Sequence, residues 1–177
     1  MENGENVNER TKKLVICALL VAIGTILGGL GSVPLFSFGV YSVKIGFGVL
    51  SVILAGVLYG PVYGGMVGGL ADLLQALLFP KGPFMPWFTL VGVLFGLIPG
   101  LFFMKKQPVT FKRLFLAVTA GQLIGSVLLN TALLVWLYGV PWVVIWERLL
   151  KQVVMIPVYT VMVYSIVKLL QRSAVIK

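Results

Sequence analysis

The stretch GPVYGGMVGGLADLLQALLFPKGPFMPWFTL, Gly60 to Leu90, decides how the chain is read. Gly60, Gly64 and Gly68 recur every fourth residue, and Asp72 continues the same row. On a helix, residues four apart lie on one face, so the row is a smooth stripe closed by a carboxylate. Rows of small residues let helix backbones approach closely in lipid, where packing must replace the hydrophobic drive. Three prolines, Pro80, Pro83 and Pro86, then surround a lone lysine, Lys81, and an aromatic cluster follows. Asp72 therefore faces a bundle interior, and the proline-stiffened connection forms the rim of whatever that bundle encloses. Gly92, Gly96 and Gly100 repeat the row in the next apolar segment, and Gly121 with Gly125 in the one after. These rows describe a tight bundle rather than an activity.

Working outward, the whole chain has 177 residues, 59% of them hydrophobic and 11% charged. Its mean hydropathy is +1.06. Soluble domains carry about 25% charged residues, so the composition belongs to a membrane. A span needs roughly 20 residues. Apolar runs separated by glycine, proline or charge predict six, over 14–30, 44–59, 62–79, 87–104, 114–138 and 143–170. The expected fold is all-α, a polytopic six-helix bundle forming a single integral membrane domain over residues 1–177. Gly60-Pro61 reads as a tight turn between the second and third spans, since one continuous helix there would overshoot a bilayer. The polar, basic start before Leu14 resembles a secretory signal. No A-x-A-like site closes the segment, and it reads as a retained first helix.

The net charge of +9 is a matter of topology. Ten basic residues fall at one set of span boundaries: Arg10, Lys12, Lys13, Lys105, Lys106, Lys112, Arg113, Lys168, Arg172 and Lys177. Lys44, Lys81, Arg148 and Lys151 make four on the other. Basic residues favour the cytoplasmic side, so both termini are expected there and no nucleic acid is needed to explain the charge. Histidine is absent and Cys17 is the one cysteine, which excludes a disulfide framework and a Cys/His metal site. No phosphate-binding loop, Ser/His pair, H-E-x-x-H or paired membrane aspartates occur. No catalytic residues, metal or cofactor are expected.

The outer connections carry the candidate site. GSVPLFSFGVYSV (31–43), PKGPFMP (80–86) and GVPWVVIW (139–146) are long, aromatic and poor in charge, as expected of covers folded over a bundle mouth. An ionisable residue within a span is a functional candidate, which singles out Asp72; its structural alternatives are a neighbouring loop's backbone, Lys81 or Lys44. Arg148 and Lys151, three apart at the start of the last helix, share a face. Arginine suits carboxylate recognition, and Glu147 is the alternative partner for one of them. Asn130 both donates and accepts. With Phe47, Phe84, Trp87 and Trp142 supplying rings, the expected binding set is Lys44, Phe47, Asp72, Lys81, Phe84, Trp87, Asn130, Trp142 and Arg148. That mixture suits a flat heteroaromatic molecule with an anionic tail better than an inorganic ion.

The stretch Lys44 to Phe102, and above all GP followed by glycines, ADLL, FPKGPFMPWFTL and GLIPG, resembles the substrate-binding S components of energy-coupling factor (ECF) vitamin transporters, and within them the folate-type group. Ala18-x-x-x-Ala22 is similar to the small-residue motif with which such subunits dock on their transmembrane scaffold. The resemblance implies a vitamin-specific subunit of an ECF-type importer that binds ligand at the outer side, a scaffold partner and two cytoplasmic ATPases, and a subunit that tips over in the cell membrane to deliver its cargo. The chain departs from the folate-type pattern at Lys44, where Arg is common, at Ser51, where Pro is, and at Pro86-Trp87, which replaces Pro-Gly. Another vitamin or precursor, such as hydroxymethylpyrimidine or pyridoxine, is therefore the alternative to folate. A self-contained carrier coupled to an ion gradient through Asp72 is a second rival. An intramembrane enzyme acting on lipids is a third, disfavoured by the missing catalytic sets.

Overall fold

The computed structural model describes residues 2–37, 40–80, 84–104 and 108–172, with the side chains of 2–7 and 33–45 left out of the description. In order, the elements are α1 (Glu2–Gly29), β1 (Ser32–Ser37), β2 (Val40–Gly46), α2 (Gly48–Tyr59), α3 (Pro61–Leu78), α4 (Pro86–Phe102) and α5 (Phe111–Gln122). A π-helical segment (Leu123–Leu129), α6 (Asn130–Tyr138) and α7 (Val144–Arg172) follow. Helix α5, the π segment and α6 run on as one span of 28 residues, Phe111–Tyr138. Together with Asn8–Gly29 and Val144–Arg172 it is long and apolar enough to cross a membrane. Helices α2 and α4 are shorter apolar helices, and α3 brings the helical spans to six.

Helix α2 sits at the centre. Every residue from Leu50 to Val57 is buried, as expected of a helix that is apolar all round. It ends at Gly60, whose φ of 89° only glycine adopts at little cost. Pro61 then starts α3 with its ring φ already helical. The sharp turn is thus built from the Gly-Pro pair, as the sequence predicts.

Glycine rows close the next seam. A Cβ added to Gly96 on α4 runs into the Gly64 carbonyl of α3, and one on Gly68 into the Gly92 carbonyl. Gly100 packs on Pro61 in the same way. The two helices therefore touch backbone to backbone, which is what small-residue rows permit. On the other side, Gly28 of α1 approaches Gly48 of α2, and a Cβ on Gly48 would lie 2.8 Å from the Gly28 Cα. The buried core runs through Cys17, Leu20, Ile53, Val67, Leu114, Val118, Val163 and Val167. Leu14, Leu19, Ile23, Trp136, Leu150 and Val153 stay exposed, which in this composition is a lipid-facing surface.

Three expectations need correction. The first outer connection is a β-hairpin, not an irregular loop, set on the expected helical bundle. Ser32 pairs with Gly46, Val33 with Ile45 and Pro34 with Lys44, with an irregularity between Leu35 and Phe36. The segment is rich in β-branched and aromatic residues, which favour strands. Lys44 consequently lies in β2, and α2 begins at Gly48 rather than at residue 44. Finally, α1 extends well before residue 14; Glu9 and Lys13 sit 3.7 Å apart one turn from each other in this exposed extension, a pairing worth little by itself.

Candidate functional site

Alternation of the spans gathers the α1 C-terminus, the hairpin, the α3–α4 connection and the α6–α7 turn at one end of the bundle. The α2–α3 turn and the α4–α5 connection lie at the other. At the hairpin end, Gly139 closes α6 with φ 63° and donates to the Val135 carbonyl, a left-handed cap of the kind glycine provides. The short turn that follows sends α7 back down the bundle and sets Arg148 about one turn inside its start.

Arg148 is 6% exposed, and its Nη1 donates to the Ser126 carbonyl at 2.8 Å. Ser126 belongs to the π segment, where the Asn130 N–H donates five residues back to Gly125. That wider winding is a local interruption of the α-helix, and such interruptions are frequent at functional sites. Gly125 lets the segment lie against the Phe95 ring of α4, 2.7 Å from where a Cβ would stand. One turn further along α7, Gln152 is 1% exposed, and its Nε2 donates to Gln122 Oε1 at 3.2 Å. Among the described residues, Gln152 Oε1 accepts no hydrogen bond, and the buried Thr131 Oγ1 makes none. A buried polar atom left open costs about 1–3 kcal/mol. A lane of Gln122, Ser126, Arg148 and Gln152 thus runs inward from the hairpin end between the Phe111–Tyr138 span and α7.

Asp72 occupies a different seam. Thr89 Oγ1 of α4 donates to Asp72 Oδ2 at 3.0 Å, one turn beyond the Gly68–Gly92 contact. Lys81, one of the sequence-predicted partners, lies outside the described residues, and so does the Lys44 side chain. Phe47 is half-buried at the start of α2 and packs on the core, while Phe84, Trp87 and Trp142 are exposed at the hairpin end. Asn130 is half-buried where α6 leaves the π segment. Tyr159 of α7 donates to the Gly46 carbonyl at 2.7 Å and ties down the base of the hairpin.

The glutamine pair, Ser126 and Thr131 are the residues sequence reasoning missed. The signal was present, because Gln152 stands four residues after Arg148 in an apolar helix and an uncharged amide there needs a partner as Asn130 does. An open recess of about 410 Å³ lined by Phe111, Lys112, Phe115 and Leu116 lies at the opposite end of the bundle. Its four residues belong to one exposed stretch of one helix, and it has none of the lane's convergent polar groups.

Residues 12–170 match the family described as ECF transporter, substrate-specific component. The chain belongs to this family. Such a component is one part of a transporter and carries its substrate specificity, so this chain is a transport component built of apolar membrane helices. Folate transporter FolT of Clostridium novyi (strain NT) is 34% identical over 131 residues, covering 73% of this chain and 76% of that protein. A crystal structure of FolT bound with folic acid has a TM-score of 0.76 at 28% identity and covers 88% of this chain and 92% of that one. A structure of the S component of a bacterial ECF transporter gives 0.72 at 20% identity over 93% of this chain and 98% of that one, which shows the shared fold.

Proposed function

We propose that this S component binds folate at the hairpin end of its bundle, with that end facing the cell exterior and both termini in the cytoplasm. The whole chain acts as one integral domain of the cell membrane. A transmembrane scaffold subunit and two cytoplasmic ATPases supply the energy for delivery, with the scaffold docking on α1 at Ala18 and Ala22. The reading is supported by the match to folate-bound FolT. The observation that carries it is Arg148, a buried guanidinium set at the mouth of a polar lane in an otherwise apolar bundle. Its charge suits the carboxylate tail of folate, while Asn130 reads a neutral edge and Phe47, Phe84, Trp87 and Trp142 offer ring faces for stacking. Lys44 and Lys81 add positive potential at the rim, and Asp72 supports the wall.

Titration of wild type and Arg148→Ala with folate, a neutral pterin fragment and pyridoxine tests the assignment. Loss of a hydrogen bond to a charged group is worth about 1.5–3 kcal/mol, or about 10- to 150-fold in dissociation constant. The expected outcome is that loss for folate and a much smaller one for the pterin. Equal loss for both would make Arg148 a staple between α7 and the π segment only. No binding of folate to the wild type would sink the folate assignment and leave pyridoxine or another vitamin precursor to be tried.

A further inference from the structure

The seam between α7 and the Phe111–Tyr138 span holds more hydrogen-bonding capacity than its own residues use. We propose that Gln152, supported by Gln122, is a neutral recognition subsite that takes an N–H donor edge of the ligand, an amide or an amino-substituted ring. The inference rests on the reading that ligand enters beside Arg148, and it adds a second contact deeper in the bundle.

Inward of Arg148 and Ser126, the residues around the glutamines are mostly apolar. Ala117 and Val118 on α5, and Met155, Ile156 and Tyr159 on α7, are all buried. A pair of leucines would fill such a seam with no desolvation cost, and yet two amides stand there. They make one hydrogen bond to each other, from Gln152 Nε2 to Gln122 Oε1, and Gln152 Oε1 is left open among the described residues. Thr131, nine residues after Gln122 on the same continuous span, adds a hydroxyl at 1% exposure that is also open among the described residues. Open acceptors in a bundle interior are costly and need a reason. An N–H brought by the ligand supplies one.

The geometry also constrains what fits. Gln152 follows Arg148 by four residues on one helix face, which places it about 6 Å deeper along the axis at 1.5 Å per residue. A ligand that uses both contacts has an anionic group outward and an N–H donor about that far inward. A small inorganic anion spans neither the distance nor the change of chemistry. A heteroaromatic amide with a carboxylate tail spans both.

The test compares wild type, Gln152→Met and Gln122→Met, where methionine keeps the length of the side chain and removes its amide. Folate, the neutral pterin fragment and pyridoxine are titrated, and unfolding of each ligand-free protein is followed in detergent. A lost neutral hydrogen bond corresponds to binding about threefold to tenfold weaker. Gln152→Met is expected to weaken folate and the pterin by the same factor, whereas Arg148→Ala weakens folate selectively. Ligand-free Gln152→Met should unfold at the wild-type temperature or above it, since an unused buried acceptor is gone. A clear fall in unfolding temperature in both methionine variants would show that the amides hold the seam together, and the subsite is then wrong. Unchanged affinity for every compound the wild type binds overturns it as well, and is the result expected if a buried water occupies the acceptor. Should folate fail, the folate assignment falls, and the subsite stands or falls on the affinity of Gln152→Met for the amino-bearing hydroxymethylpyrimidine, titrated alongside.

Discussion

Asp72 shows what a single carboxylate in a membrane bundle can be used for. It continues the α3 glycine row, and a Cβ on Gly92 of α4 would sit 3.0 Å from its own Cβ. The backbones are thus close enough for Thr89 to reach its carboxylate with a hydrogen bond of 3.0 Å. A charge-accepting bond at half-buried depth ties α3 to α4 where the glycine contact ends, and it holds both helices beneath the connection that follows. Thr89→Val keeps the shape and removes the donor. It should lower stability by about 1.5 kcal/mol, the low end for a hydrogen bond to a charged group, with folate affinity unchanged. Unfolding in detergent and ligand titration on the same preparation decide the matter. Weaker binding with unchanged unfolding would move Asp72 from the wall into the ligand's contacts, and a gradient-dependent uptake by this chain alone in liposomes would revive the ion-coupled carrier.

Among the elements, α1 presents a face that none of the described residues covers. Ala18 and Ala22 are exposed, and Leu14, Val15, Leu19, Ile23 and Ile26 surround them, while Cys17, Leu20, Val21 and Gly24 of the same helix face the core. Two alanines one turn apart among larger apolar groups leave a shallow groove in which a partner helix can approach the backbone. Replacing both with leucine should stop assembly with the scaffold and uptake by the complex while leaving ligand binding to the isolated subunit intact. Loss of binding together with assembly would instead mean that the pair serves the fold of this chain. The glycine rows, the Gly60-Pro61 turn and the six helical spans were all legible from residue spacing, because steric rules in lipid leave few alternatives. The hairpin was not, since an apolar aromatic segment between spans satisfies both a loop and a short strand pair, and its tether is a tyrosine 113 positions away from Gly46. The π segment was equally hidden. Over the seven residues Leu123–Leu129 an apolar pattern does not separate 3.6 from the wider π winding. Of the site, Arg148 was readable because charge in an apolar helix stands out. Gln152 carried a signal as an amide in an apolar helix, but its pairing with Gln122 was not readable, because it lies across two helices.

For the whole molecule, the proposed orientation across the membrane follows from where its cations lie in the sequence. In the sequence, ten of the fourteen basic residues belong to the two termini and the segment between the fourth and fifth spans, and four to the intervening outer segments. Juxtamembrane lysine and arginine are retained on the cytoplasmic side, and the proposed orientation accordingly has the hairpin and the mouth beside Arg148 facing outward. That orientation is what an importer's substrate-specific component requires, since ligand is then met outside and energy supplied from within. Residue 81 reports it directly. With Cys17 first replaced by alanine, a cysteine at Lys81 should react with an impermeant thiol reagent added to intact cells, and a cysteine at Lys112 should react only after lysis. The reverse pattern would place the hairpin end in the cytoplasm and make uptake from outside through the Arg148 mouth untenable. Adding folate before the reagent sharpens the experiment, because Lys81 belongs to the proposed binding set. Slower labelling at residue 81 with folate present, and unchanged labelling at residue 112 after lysis, is the outcome expected if ligand closes that mouth from outside.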